Sequence, residues 1–118
     1  MRISFFTNTS WNIYNFRLNL IKSIQKNNSV SCISGNDRYS QKLLNYEFKN
    51  YYFKINNRDL NPFTQFIVFF RINRYIKLTK PKVVLSFTIK MNIYLGLIRL
   101  VFSNFFFIPN VTGLGSVF

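Results

Sequence analysis

Three short stretches hold most of the groups in this chain that could meet a ligand. They are Thr7-Asn8-Thr9-Ser10-Trp11-Asn12, Thr88-Ile89-Lys90-Met91-Asn92 and Thr112-Gly113-Leu114-Gly115-Ser116. Each follows an apolar run and offers hydroxyls, amides or glycine, and the middle one adds the ammonium of Lys90. An apolar strand running into small polar residues has the form of a strand-to-helix turn over a phosphate or sugar. Neutral donors and acceptors with one lysine suit a phosphate or a polyol. Such residues also fill ordinary turns, so the case rests on three of these loops meeting at one edge of a sheet. No G-x-G-x-x-G follows the first strand and no G-x-x-x-x-G-K occurs, which argues against dinucleotides and P-loop nucleotides.

The missing residue types narrow the chemistry further. The chain has no histidine, one cysteine (Cys32) and three acids, Asp37, Glu47 and Asp59. Neither a metal cluster, a catalytic triad nor a carboxylate pair can be assembled from these, so no metal and no cofactor is expected. The acids fall in loops or at helix ends and read as solvated. Cys32 sits in the apolar run Ser29-Val30-Ser31-Cys32-Ile33 and reads as a buried strand thiol. A lone cysteine excludes an internal disulfide and fits a reducing compartment.

Sixteen basic residues against three acids give a net charge of +13 over 118 residues. Such a balance favours anionic partners: nucleic acid, an acidic membrane face or phosphorylated substrates. No RNP, KH or helix-turn-helix pattern appears, so no nucleic acid is expected. Arg71, Arg74 and Lys77, followed by Lys80 and Lys82, form a basic stripe. It reads either as a solvated helix face or as a membrane-facing one, where each cation is worth about 1 kcal/mol near anionic lipid. The abundant Asn, Lys, Ile and Phe also carry the mark of A/T-rich codons. No secretory leader is evident, and the longest apolar tract, Ile93 to Pro109, is broken by Arg99, Ser103 and Asn104, short of the roughly 20 apolar residues a span needs.

The elements that must position these loops alternate. Ile3 to Phe6 reads as a strand. A helix follows from about Trp11 to Lys26, N-capped by Ser10, with Ile13, Phe16, Leu20 and Ile24 on its apolar side. Val30 to Ser34 is a second strand, Tyr39 to Tyr46 a short helix, and Tyr51 to Ile55 a third strand. Asn56 to Asn61 is a loop. Pro62 opens a helix whose buried face is read as Phe63, Phe66, Ile67, Phe70 and Ile76. Val83 to Phe87 is a strand, Thr88 to Asn92 a loop, Ile93 to Phe102 a helix, and Phe105 to Val111 the last strand. Strands alternating with helices imply a Rossmann-like open parallel α/β sheet of about five strands, with helices on both faces.

The stretches Thr7 to Arg17, Thr88 to Gly96 and Ile108 to Gly115 together resemble the N-terminal domain of family 4 glycosyltransferases. More narrowly, they look like the bacterial branch that builds capsular, O-antigen and lipid-linked oligosaccharides. The resemblance runs from Ile3 to the last residue. It implies half of a GT-B fold: residues 1–118 as the N-terminal, acceptor-side domain, with a C-terminal donor-binding domain expected beyond it. It also implies that Thr9, Ser10, Asn12 and Arg17 lie near donor phosphates and acceptor, that Thr88, Lys90 and Asn92 face the acceptor, and that Thr112, Gly113 and Gly115 line the cleft floor. Two residues depart from the pattern: Thr112 stands where the wider superfamily often has histidine, and Met91 stands where proline is expected in the second loop.

The expected activity is metal-independent transfer of a sugar from a UDP-type nucleotide-sugar donor to a polyprenyl-linked saccharide acceptor. The implied location is cytoplasmic, peripheral on the inner face of the cytoplasmic membrane. As a truncated half the chain is expected to be inactive without a complementing C-terminal domain. A second reading is a non-catalytic basic module for anionic membrane or polyphosphate, and a third is an inactive gene remnant.

Overall fold

The computed structural model describes residues 1–46, 48–53, 62–101 and 105–110. Outside them lie Glu47, Asp59, the expected loop 56–61, the end of the expected third strand, and Thr112, Gly113 and Gly115. Five parallel strands form one sheet in the order β3-β2-β1-β4-β5: β1 (Arg2–Phe6), β2 (Ser29–Gly35), β3 (Lys49–Phe53), β4 (Val83–Ser86) and β5 (Phe106–Pro109). The crossovers are helix α1 (residues 10–25), α2 (Ser40–Leu43), α3 (Pro62–Thr79) and α4 (Ile89–Val101). The expected α/β, Rossmann-like parallel sheet is therefore present.

Alternation along the strands sends successive side chains to opposite faces. Phe5 joins Ile13, Ile21, Cys32, Leu43 and Phe87 beneath α1 and α2, while Phe6 joins Ile33, Val84, Met91 and Leu95 beneath α3 and α4. Cys32 is fully buried and free, as its apolar context suggested.

Helix α1 departs from the expected pattern. It begins as an α-turn (Ser10–Asn12), opens into a π-turn (Ile13–Arg17) and resumes as α-helix (Leu18–Gln25). A π-turn closes i→i+5, one residue more than an α-turn, and so turns all later residues about the axis by roughly 100°. Ile13 and Ile21 are consequently the buried pair, and Phe16 and Leu20 face outward. The N-cap is Thr9, whose Oγ1 accepts from Asn12 N–H at 3.2 Å, and Ser10 is the first helical residue instead.

Helix α3 also buries a different face. Phe63, Phe66, Ile67 and Phe70 are each more than half exposed, whereas Val68, Ile72, Asn73 and Ile76 face the core. Two apolar stripes compete for the sheet. The stripe through Phe63 and Phe70 runs into Arg74 and Lys77 after two turns, while that through Val68, Ile72 and Ile76 persists to the helix end. The stripe that keeps cations out of the core is the one that packs.

The loop expected at Thr88 to Asn92 is the first turn of α4, with Asn92 N–H bonded to Thr88 O at 2.8 Å. Met91, which stands where proline was expected, is fully buried in the core on the inner side of α4. An unbranched side chain costs little in a helix and fills irregular space well.

Candidate functional site

Strand β1 lies between β2 and β4, so the direction of sheet growth reverses beside it. Parallel sheets form their ligand crevice outside the carboxyl ends of the strands at this reversal. The backbone pins that edge: Thr7 N–H bonds Ile33 O at 3.0 Å, and Phe87 N–H bonds Phe6 O at 3.2 Å. The loops after β1 and β4 are thus side by side.

Much of the first loop is fastened from within. Ser10 is fully buried, and its Oγ lies 2.9 Å from Ser34 Oγ, from Gly35 O and from Ser40 Oγ. Asp37 is not merely solvated: its carboxylate accepts Trp11 N–H at 3.0 Å and Tyr39 N–H at 2.8 Å. With Thr9 Oγ1 on Asn12 N–H, the amides opening α1 are engaged by the protein's own oxygens. The amides of Trp11 and Asn12 thus already have partners within the protein.

Three polar atoms at the same edge are left over. Among the described residues, Asn12 Oδ1, Arg17 Nε and Thr88 Oγ1 are buried without a hydrogen-bond partner. Buried polar atoms nearly always have partners, and leaving one unmade costs about 1–3 kcal/mol. The π-turn bears on two of them. In a straight α-helix, five residues put Asn12 and Arg17 about 140° apart at 100° per residue, whereas an i→i+5 turn stacks them. The Arg17 guanidinium lies 4.1 Å from the Phe87 ring centroid, next in sequence to Thr88. That contact bridges α1 to the β4–α4 corner. Burial lowers the Arg17 pKa from its ordinary value, yet arginine remains charged at any working pH.

The remaining expected residues are placed as follows. Asn92 accepts from the Ser86 hydroxyl and donates from Nδ2 to Asn110 O at 3.0 Å. It therefore ties β4, α4 and the end of β5 together beneath the edge. Lys90 is half-buried in the first turn of α4. Thr112, Gly113 and Gly115 follow Asn110 but lie outside the described residues. Sequence reasoning missed Asp37, Ser34 and Ser40, and the only signal for them was a polar cluster at the end of the second strand. Phe87, expected at the end of a strand, is the ring against which Arg17 lies. Among the described residues no cluster of His, Cys, Asp or Glu is suited to a metal.

A hydroxyl, an amide oxygen and a guanidinium N–H at this sheet edge can accept from and donate to sugar hydroxyls or phosphate oxygens. They can bind and orient. None is a general base, and Asp37 is turned onto helix amides.

The opposite surface of α3 and α4 has its own character. Phe63, Phe66, Ile67 and Phe70 share the outer side of α3 with Arg71, Arg74 and Lys77, all exposed. Ile89, Ile93, Leu97 and Leu100 form an exposed apolar stripe along α4. No described helix is long and apolar enough to cross a membrane.

No protein-family model matches the chain, and no curated protein does. Among solved structures it is similar to a crystal structure of Acinetobacter baumannii MurG, with a TM-score of 0.67 at 18% identity. The match covers 92% of this chain and 34% of that one. The likeness is one of fold, a Rossmann-like open parallel α/β sheet.

Proposed function

We propose that this chain is the acceptor-side domain of a glycosyltransferase that moves a sugar from a nucleotide-sugar donor to a lipid-linked acceptor. The observation that carries the reading is the set of buried, unpartnered polar atoms on Asn12, Arg17 and Thr88 at the switch point of the sheet. MurG is itself a GT-B glycosyltransferase, of family 28, so the shared fold supports the class. The narrower family 4 assignment, a UDP-type donor and a role in surface-polysaccharide assembly rest on the motifs alone.

In this reading Arg17, held over Phe87, donates to an acceptor phosphate or hydroxyl. Asn12 Oδ1 accepts from a sugar hydroxyl, and Thr88 can do either. Thr9, Ser10 and Asn92 hold these side chains in place, while Lys90, Thr112, Gly113 and Gly115 complete the acceptor wall. The donor and its sugar are held by a complementing C-terminal domain. The apolar and cationic outer side of α3 and α4, with Arg71, Arg74 and Lys77, rests on anionic lipid at the cytoplasmic face and brings the edge to a membrane-bound acceptor.

Amide NMR of the chain with a short-chain, water-soluble polyprenyl-diphosphate saccharide tests the site. Shifts are expected at Asn12, Arg17 and Thr88, with at least tenfold weaker binding in Arg17→Gln. Binding indifferent to that substitution, or turnover of a UDP-sugar by the chain alone, overturns the reading. Flotation separates out the membrane contact. Acidic vesicles should carry the chain, and R71Q/R74Q/K77Q should lose that. A chain that floats on acidic vesicles yet ignores the saccharide is instead the non-catalytic basic module.

A further inference from the structure

The opposite, amino edge of the sheet contains a cavity of about 470 Å³ that the carboxyl-edge chemistry does not use. Its wall crosses three adjacent strands at their first residues. Arg2 of β1 pairs in register with Ser29, and Ser31 of β2 pairs with Lys49 of β3. Arg2 and Lys49 thus lie two strands apart and two residues out of level, about 12 Å at roughly 4.8 Å per strand spacing and 3.3 Å per residue, and both side chains line the cavity. Ser29, Ser31 and Thr79 and the rings of Phe48 and Tyr51 line it as well.

A second cavity of about 490 Å³ shares Gln25 with the first and adds Lys22, Lys26 and Tyr46 to its wall. Lys22 Nζ lies 5.2 Å from the Tyr46 ring centroid, and Tyr46 stacks on Phe48 at 5.8 Å. Cations and aromatic rings therefore line both of these neighbouring cavities. Among the described residues no carboxylate lines either cavity. Helices α1 and α3 end there, and each C-terminus contributes about half a negative charge.

We infer that this amino-edge cavity is a second binding site, for a small phosphate-bearing ligand. Its phosphate is held between Arg2 and Lys49, and the hydroxyls of Ser29 and Ser31 donate to the remaining oxygens, while Thr79 Oγ1, which donates to Tyr75 O at 2.8 Å, closes the wall. A volume of this size falls within the usual range for small-molecule sites, about 300–1,000 Å³. Tyr51 lies on the same face as Lys49 and offers a surface for an attached ring, while Phe48 is nearly buried and backs the wall. Because β1, α1 and α3 all reach this wall, a ligand here clamps the elements that also carry Asn12 and Arg17. The inference does not depend on the glycosyltransferase reading, since its residues and its edge are different.

The test uses the full chain with inorganic pyrophosphate and with adenosine monophosphate, followed by calorimetry and amide NMR. Shifts are expected at Ser29, Ser31, Lys49 and Thr79, with binding at least tenfold weaker in R2Q/K49Q and near wild type in R71Q/R74Q/K77Q. Tighter binding of the monophosphate assigns a role to the rings, and equal binding assigns the site to phosphate alone. Equal losses in both triple and double variants, shifts confined to Asn12 and Thr88, or no binding overturn the inference. Arg2 is exposed and holds Lys82 N–H through its backbone oxygen at 2.8 Å. Should R2Q/K49Q nevertheless misfold, the wild-type shift map and the single Arg2→Gln variant decide alone.

Discussion

At the residue scale, two kinds of buried hydroxyl sit at the carboxyl edge, and they should respond oppositely to deletion. Ser10 Oγ meets three partners at 2.9 Å, so Ser10→Ala strands Gly35 O and thins the links to Ser34 and Ser40. The cost should be about 1–3 kcal/mol, the range for leaving buried polar groups unmade. Thr88 Oγ1 has no partner to lose. Thr88→Val keeps the shape and removes a desolvated hydroxyl, so it should be neutral or stabilise by about 1 kcal/mol while weakening acceptor binding. Urea unfolding of both variants beside the wild type checks the pair. A destabilised Thr88→Val would mean that the hydroxyl serves the fold, and the ligand reading of this edge would fall with it.

At the element scale, α4 offers a clean backbone test. Gly96 lies in its interior, and a Cβ there would meet only Phe107 Cε2 at 3.7 Å, an ordinary contact. Gly96→Ala should therefore gain the helix-propensity difference of about 0.5–1 kcal/mol, a rise of a few degrees in Tm by differential scanning calorimetry. A loss would mean that α4 packs more tightly on β5 than this spacing indicates. Elements of this kind were legible in the sequence because alternation of strands with helices needs only a coarse period. Faces were not. The stripe Phe63, Phe66, Ile67 and Phe70 has ideal helical spacing, yet spacing alone cannot say which of two apolar stripes meets the sheet. In α1 a single π-turn rotated every later residue, and no residue type announces such a turn. The same holds for the site. Asn12, Arg17 and Thr88 stood out by type and place, but Asp37 as a helix cap depended on tertiary contact between α1 and the end of β2.

At the scale of the whole molecule, the sheet interior makes Cys32 a reporter of global unfolding. It is fully buried in the middle of β2, between β1 and β3, and burial pushes its thiol far above the usual range. The thiolate is the reactive form, so the folded chain should resist a thiol reagent that labels the unfolded chain at once. Labelling should then follow the global equilibrium rather than local fraying. The same shift has a signed consequence for stability. Above the ordinary thiol pKa of 9.0 the unfolded chain releases a proton that the folded chain keeps. Fewer protons bound in the unfolded state make the slope of unfolding free energy against pH negative, approaching about 1.4 kcal/mol lost per pH unit. Burial raises the phenols of Tyr52 and Tyr94 too, which adds to the loss from about pH 10 upward. Stability should hold below pH 9 and fall above it. In Cys32→Ala the fall should begin about a unit later, from a lower starting stability because of the methyl-sized void. Urea midpoints measured from pH 7 to 10.5 on both proteins decide the point, and identical pH profiles would show that the buried thiol is not what makes the fold alkali-labile.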